Sequence, residues 1–180
     1  MPLTKRFKRH DSGSTAVEFG LLAIPFFGCM FAIIEIALIF FAGQVLETAV
    51  GDASRFILTG QSALPTLTLQ TFTDKICTNS IKTLFTCANI KADVRKVSSF
   101  AGGNFGMPLD PVTHMLDTTG FTYTNTAPCD IVVVRVIYEW PTFMRGLGLD
   151  MASNASPGGK HILMSTAAFR NEPYIGSSCS

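Results

Sequence analysis

The chain has 180 residues, of which 47% are hydrophobic and only 15% are charged, and its formal net charge is +1. So apolar a chain with so few charges is not an intrinsically disordered protein. A sequence pI near 7.6 argues against a nucleic-acid-binding protein, because such proteins carry a marked basic excess. The length suits one domain, or a small domain with an appendage.

The first predicted element is a basic leader, residues 1–13. It holds four Lys or Arg side chains against one acid, so that its local charge is +3 and the remaining residues carry −2. After Gly13 the sequence reads STAVEF and then becomes apolar, with Glu18 at the mouth of that apolar stretch. This junction resembles the processing site of type IV prepilins. The resemblance implies that a prepilin peptidase cuts between Gly13 and Ser14, which makes Glu18 the fifth residue of the mature chain.

Glu18 also has a purely local interpretation. Residues Thr15 to Glu18 fit a capping box, in which the glutamate reaches back to the first amide of a helix and favours the positive end of the helix dipole. Alternatively, a carboxylate at the edge of a bilayer is costly unless it is paired, and the new ammonium of a neighbouring processed chain can pair with it. The two roles are compatible, and both stay open at the level of sequence.

The second element is a membrane span over residues 19–43, which contain one charged side chain, Glu35. At 1.5 Å per residue this segment covers about 37 Å, enough to cross a hydrocarbon core of about 30 Å. Lys and Arg precede the span and none follow in residues 44–53, so the positive-inside rule predicts a cytoplasmic N-terminus. A cleavable signal peptide is the competitor, but its apolar region is shorter and ends at a small-x-small site.

Two residues inside the span depart from a plain lipid-facing pattern. Pro25 cannot donate to the carbonyl four residues back, so we expect it to bend the helix near Leu21–Leu22. Glu35 lies about 25 Å beyond Glu18 along the axis, and an ionisable group at that depth predicts a polar contact to a partner helix. The alternative is that Glu35 reaches the far headgroups or is protonated.

The helical pattern continues beyond the span. Gly60 and Pro65 supply the stop signals, so span and continuation are predicted to form one helix over about residues 14–59. The second half needs an aqueous-side partner, which is either another protein or the chain's own domain. Its apolar positions recur at steps of one, three and four residues, as an amphipathic helix requires: Val45, Leu46, Ala49, Val50, Ala53, Phe56 and Ile57.

Taken together, the N-terminal motifs are similar to those of the TadE-like family, pseudopilin or minor pilin components of the tight-adherence pilus machinery. The resemblance covers residues 13–61. It implies an accessory pilus subunit of the bacterial inner membrane with a periplasmic domain, whose partners are the prepilin peptidase and other pilins. The alternative is a permanently anchored periplasmic scaffold of the same machinery. The matching positions are Gly13, Ala16, Val17, Glu18, Phe19, Pro25, Glu35, Gln44, Leu46, Ala49, Ala53 and Arg55.

The third element, residues 62–180, is predicted to be an α+β domain with an antiparallel sheet. We expect a helix over about 66–86 and strands at 88–98, 120–124, 130–140 and 161–170, with 130–140 central because it is nearly continuously β-branched. One helix followed by several strands is compatible with a pilin-like fold. The long 141–160 connection is either an interaction surface or partly disordered.

Four of the five cysteines lie in this third element. An even number outside the cytoplasm suggests two disulfides, for which three connectivities exist. We favour Cys77–Cys87, which closes a short local loop, and Cys129–Cys179, which ties down the terminus. The wide spacings argue against a zinc site. No cofactor, metal or catalytic activity is expected, since the three histidines show no metal-binding spacing and no phosphate loop is present.

Overall fold

The long helix α1 runs without interruption from Ser12 to Leu58. The structure, a computed structural model, describes residues 12–60, 68–103, 105–147, 150–153, 159–173 and 179, so the basic leader before residue 12 lies outside the described residues. The helix passes through Pro25. A long N-terminal apolar helix, as predicted, is therefore confirmed.

One face of the second half of α1 lies in the hydrophobic core. Its buried residues are spaced by three or four positions, which places them in one stripe along the helix. This stripe contacts the chain's own domain, so the aqueous half of α1 has an intramolecular partner. The buried apolar side chains are Ile39, Ala42, Leu46, Val50, Ala53 and Ile57.

The helix predicted over residues 66–86 is wrong in its length. The structure has helix α2 over Leu69–Ile76, one helical turn, α3, over Asn79–Lys82, and a 3-10 turn over Cys87–Asn89. The break falls at Cys77, whose ψ of 58° is not helical. Apolar spacing alone concealed this break, because Phe72, Ile76 and Ile81 are all buried although they lie in two separate segments.

Three strands form an antiparallel sheet in the order β1-β2-β3, which confirms the α+β class. They are β1 over Lys91–Val97, β2 over Ile131–Pro141 and β3 over Lys160–Arg170, with β2 central as predicted. The predicted strand at 120–124 is only an isolated bridge, in which the amide of Val94 donates to Thr122 and the amide of Thr124 donates to Val94.

The sheet is covered on both faces. Its inner face packs on α1 through Val94, Val132, Val134, Val136 and Leu163. The loop between β1 and β2 covers the outer face, where Leu116 and Phe121 pack against Ile137. Because β2 is buried on both sides, its sequence is almost continuously apolar instead of alternating.

A buried ion pair lies on the outer face of the sheet. Arg135 on β2 donates to the Asp93 carboxylate on the directly opposite residue of β1, at 2.7 Å, and both side chains are at least 93% buried. The same carboxylate accepts from the Arg95 guanidinium and from the amide of Thr122. These bonds compensate the charge that burial removes from water.

Strand β3 runs in the same direction as α1, so the domain has two distinct ends. At one end Pro141 pairs with Lys160, close to the middle of α1; we call this the Glu35 end. At the other, the Leu58 end, Arg170 pairs with Ile131, and the amide of Glu172 donates to the Leu58 carbonyl at 3.0 Å. These two sets of contacts therefore fix which end of the domain lies near the middle of α1 and which lies near its C-terminal end.

The seam between α1 and the sheet should carry much of the domain's stability. Leu46→Ala is expected to lower the free energy of unfolding by about 2–5 kcal/mol, because Leu46 is 1% exposed and its removal leaves a cavity. Denaturant unfolding in detergent micelles, followed by the fluorescence of the single, buried Trp140, measures this loss. Leu38→Ala is the matched control on the exposed face of the same helix and should cost less than about 1 kcal/mol. Equal losses would contradict the assignment of the core stripe.

Candidate functional site

The first half of α1 projects from the domain without any buried residue. Residues 13–34 are exposed or intermediate throughout, and they cover about 33 Å of helix. The most apolar stretch of the helix has a mean hydropathy of 2.4, and only 11% of it is buried inside the structure. A core helix of a water-soluble protein would be mostly covered, so this projecting half fits a single-pass membrane anchor.

The predicted processing residues lie in the first turns of this projecting half. A Cβ atom added at Gly13 would meet no atom of the described residues within 4 Å, apart from the adjoining backbone. Glu18 is exposed, and its Oε1 accepts a weak hydrogen bond from Ser14 Oγ at 3.5 Å. Phe19 is also exposed. All of these groups are accessible from outside the protein.

The capping-box interpretation of Glu18 does not fit the structure. Ser12 is already helical, so Thr15 lies inside the helix and is not the residue that precedes it. A capping box needs Thr15 to stand at the helix boundary with extended backbone. Glu18 therefore has an exposed carboxylate, and its hydrogen-bond partner among the described residues is the Ser14 hydroxyl.

Glu35, the second acid of the apolar helix, is in the opposite situation. It is 5% exposed, and both of its carboxylate oxygens accept main-chain hydrogen bonds from the loop after β2. The amide of Phe143 donates to Oε1 at 2.6 Å, and the amide of Met144 donates to Oε2 at 3.1 Å. We call this arrangement the Glu35 clasp.

The clasp gives Glu35 a partner within its own chain, whereas its predicted contact to a partner helix stays a prediction. The carboxylate is occupied within its own chain, by a loop more than one hundred residues away in sequence. Amide donors to an ionised acceptor are strong compensating partners for a buried carboxylate. No pattern in the sequence indicates this contact, because main-chain donors leave no trace in residue identity.

The cysteines are bonded in the two pairs that the sequence favoured. The Cα atoms are 6.0 Å apart in Cys77–Cys87 and 5.4 Å apart in Cys129–Cys179, both within the ordinary range for disulfides. The first bond joins α2 to the 3-10 turn before β1. The second fixes Cys179 to the Leu58 end of the domain. Cys29 is free and lies exposed on the projecting half of α1.

Two aspartates of the domain, Asp110 and Asp130, stabilise turns through their carboxylates. Hydrogen bonds from the amides of Thr113 and Val112 hold the pKa of Asp110 below its usual value. Burial raises the pKa of Asp130, but bonds from Lys96 and from the amide of Ala127 outweigh it, and the net shift is downward. These carboxylates remain ionised and stabilise loop geometry, as local Asx-type bonds do.

His161 makes a structural contact to the main chain. His161 Nδ1 lies 2.7 Å from the Met151 carbonyl, at the edge of a groove of about 490 Å³ between α1 and β3. Within the described ranges, no three His, Cys, Asp or Glu side chains are grouped closely enough to hold a metal ion.

Loss of the clasp should loosen the loop that it holds. In Glu35→Ala the amides of Phe143 and Met144 lose their acceptor, so their hydrogen exchange should accelerate by about tenfold or more. Exchange measured by mass spectrometry on the protein in micelles tests this. Glu47→Ala removes an exposed carboxylate from the same helix and should leave the loop unchanged. Equal protection in the wild type and in Glu35→Ala would show that the clasp contributes nothing.

The comparisons with known proteins concern the same helix. Residues 13–55 match the family model described as TadE-like protein. No curated protein and no solved structure matches the chain. The matched range begins at Gly13 and includes Glu18, Pro25 and Glu35, so the predicted family resemblance is confirmed on the residues that carried it. The match covers about a quarter of the chain, and over residues 13–55 the chain is similar to TadE-like proteins.

Proposed function

We propose that the chain is a pseudopilin or minor pilin that takes part in assembly of a tight-adherence pilus. One observation carries the proposal: a single helix projects an uncovered apolar half and buries its other half in a small antiparallel domain. That division lets one helix occupy a bilayer first and pack against other such helices later. The TadE-like match covers both halves of the helix up to Arg55.

We propose that processing separates the basic leader from the helix at the Gly13–Ser14 bond. A glycine lets the backbone lie close to a protease, and a side chain at Gly13 would meet no atom of the described residues within 4 Å beyond the adjoining backbone. Cleavage removes the +3 leader and leaves an ammonium on Ser14.

Glu18 then becomes the natural partner of that ammonium on a neighbouring chain. Its carboxylate is exposed on an apolar helix, where an unpaired charge is expensive. Glu35 cannot serve in its place, because both of its oxygens accept bonds from its own domain. The two acids of the proposed span therefore have separate roles: Glu35 holds the domain, and Glu18 contacts the assembly.

The proposed topology places the N-terminus in the cytoplasm and the domain in the periplasm. The positive leader supports this orientation. Two disulfides in the domain support it independently, because such bonds persist in oxidising compartments. The second candidate function, a permanently anchored periplasmic scaffold of the pilus machinery, shares this topology and differs only in whether the helix leaves the membrane.

The processing step predicts a specific mature N-terminus. Mass spectrometry of the protein isolated from its native membranes should find chains that begin at Ser14. Gly13→Leu should block cleavage, because the side chain obstructs the protease cleft. Gly20→Leu is the matched control, because a Cβ atom added at Gly20 likewise meets no atom within 4 Å beyond the adjoining backbone. This replacement should leave cleavage intact. An intact Met1, or a start anywhere other than Ser14, would remove the processing claim.

The role of Glu18 predicts a defect after cleavage. Glu18→Leu should be cut normally but should fail to enter filaments, because the neighbouring ammonium loses its partner. Immunoblots of sheared filaments and of inner membranes measure the distribution, with Glu47→Leu as the control that keeps an apolar substitution on the exposed surface of the same helix. Wild-type protein that stays entirely in the inner membrane would favour the scaffold function instead. Filament entry of Glu18→Leu at the wild-type level would contradict the pairing role.

A further inference from the structure

Phe143 is the most exposed phenylalanine in the described part of the chain. Its side chain is 73% exposed, although its neighbour Met144 is buried. It follows directly after β2 at the Glu35 end of the domain, where the hydroxyl of Thr142 donates to the Gly159 carbonyl and ties the loop to the start of β3. The loop is thus fixed on both sides, and it presents one large apolar side chain outward.

The Glu35 clasp gives Phe143 a defined height along α1. Because the amide of Phe143 lies 2.6 Å from the Glu35 carboxylate, the loop stands level with that residue of the helix. Glu35 is about 25 Å beyond Glu18 at 1.5 Å per residue. A hydrocarbon core of about 30 Å that begins near Phe19 ends a few residues after Glu35. Phe143 therefore lies at the far boundary of the membrane that the helix crosses.

The surface of α1 around this height is apolar. Leu38, Phe40 and Phe41 are exposed on α1 beside the domain, and they continue the uncovered apolar surface of residues 13–34. Among the described residues near the loop, Arg145 pairs with Asp150 at 3.6 Å and Lys160 pairs with Glu139 at 3.1 Å. Each of these charges has a counter-ion, which lowers the cost of bringing it near lipid.

We infer that the Phe143 loop is a second membrane contact of the protein, in which Phe143 enters the interfacial region of the outer leaflet while the Glu35 clasp sets its depth. Aromatic side chains favour this region of a bilayer. Lipid is the occupant that the geometry supports, because Phe143 continues the surface of the proposed span at the same height. The inference rests on the membrane span of the proposed function.

Site-specific quenching tests the contact in the full-length chain. Cys29→Ala/Phe143→Cys and Cys29→Ala/Phe100→Cys are each labelled with an environment-sensitive fluorophore and reconstituted into phosphatidylethanolamine–phosphatidylglycerol vesicles. Phe100 is the matched control, since it is also exposed and follows β1 at the Leu58 end. The label at position 143 should be quenched by a lipid with a nitroxide near its head group. It should be quenched by aqueous iodide about threefold less than the label at position 100, as expected for an interfacial site.

The wild-type chain supplies the control for the span. Cys29 lies within the projecting half of α1, and a label there should be quenched by a nitroxide deep in the acyl chains. If it is not, the membrane span fails and the inference fails with it. If Cys29 responds but position 143 is quenched by iodide as strongly as position 100, only the inference is overturned. Shielding of position 143 from both iodide and lipid nitroxide would also overturn it, since a second protein would then cover the loop.

Discussion

A single stripe of α1 from Glu35 to Ile57 determines how the rest of the protein is arranged. The stripe buries one residue in every turn, and α1 is the longest described element that packs against the inner face of the sheet. Residues 13–34 are outside the core and must find their apolar environment elsewhere. The domain is held on the helix at its far half, and the near half stays available for lipid or for neighbouring helices.

The same stripe explains how the apolar part of α1 carries the carboxylates of Glu18 and Glu35 without conflict. Along a segment that is apolar on every side, charge is tolerated only where it is paired. The Glu35 carboxylate lies at the edge of the core, where the loop after β2 can supply two amides. Glu18 lies seventeen residues earlier, beyond the reach of the domain, and among the described residues its hydrogen-bond partner is the Ser14 hydroxyl.

Local patterns predicted the elements that are continuous in sequence. The apolar run, the amphipathic spacing after it and the β-branched segment of β2 each appear in the structure as a helix or strand of nearly the expected extent. What these patterns missed is a break between helical segments and several long-range contacts. The break at Cys77 depends on a bend between segments that share one apolar spacing, and the burial of Asp93 depends on Arg135 across the sheet. The Glu35 clasp depends on amides, which every residue but proline carries.

The parallel course of α1 and β3 has a mechanical consequence. The contact begins where Gly43 of α1 lies beside Leu163 of β3. It ends just after β3, where the amide of Glu172 donates to the Leu58 carbonyl. A force that pulls the helix out of a bilayer along its axis would act along this seam, so it would load all the seam's side chains at once instead of peeling them apart in turn. Such shear geometry resists force well and slows forced unfolding, which is governed by the unfolding rate. The domain should therefore stay folded on α1 while the helix is pulled out of the bilayer.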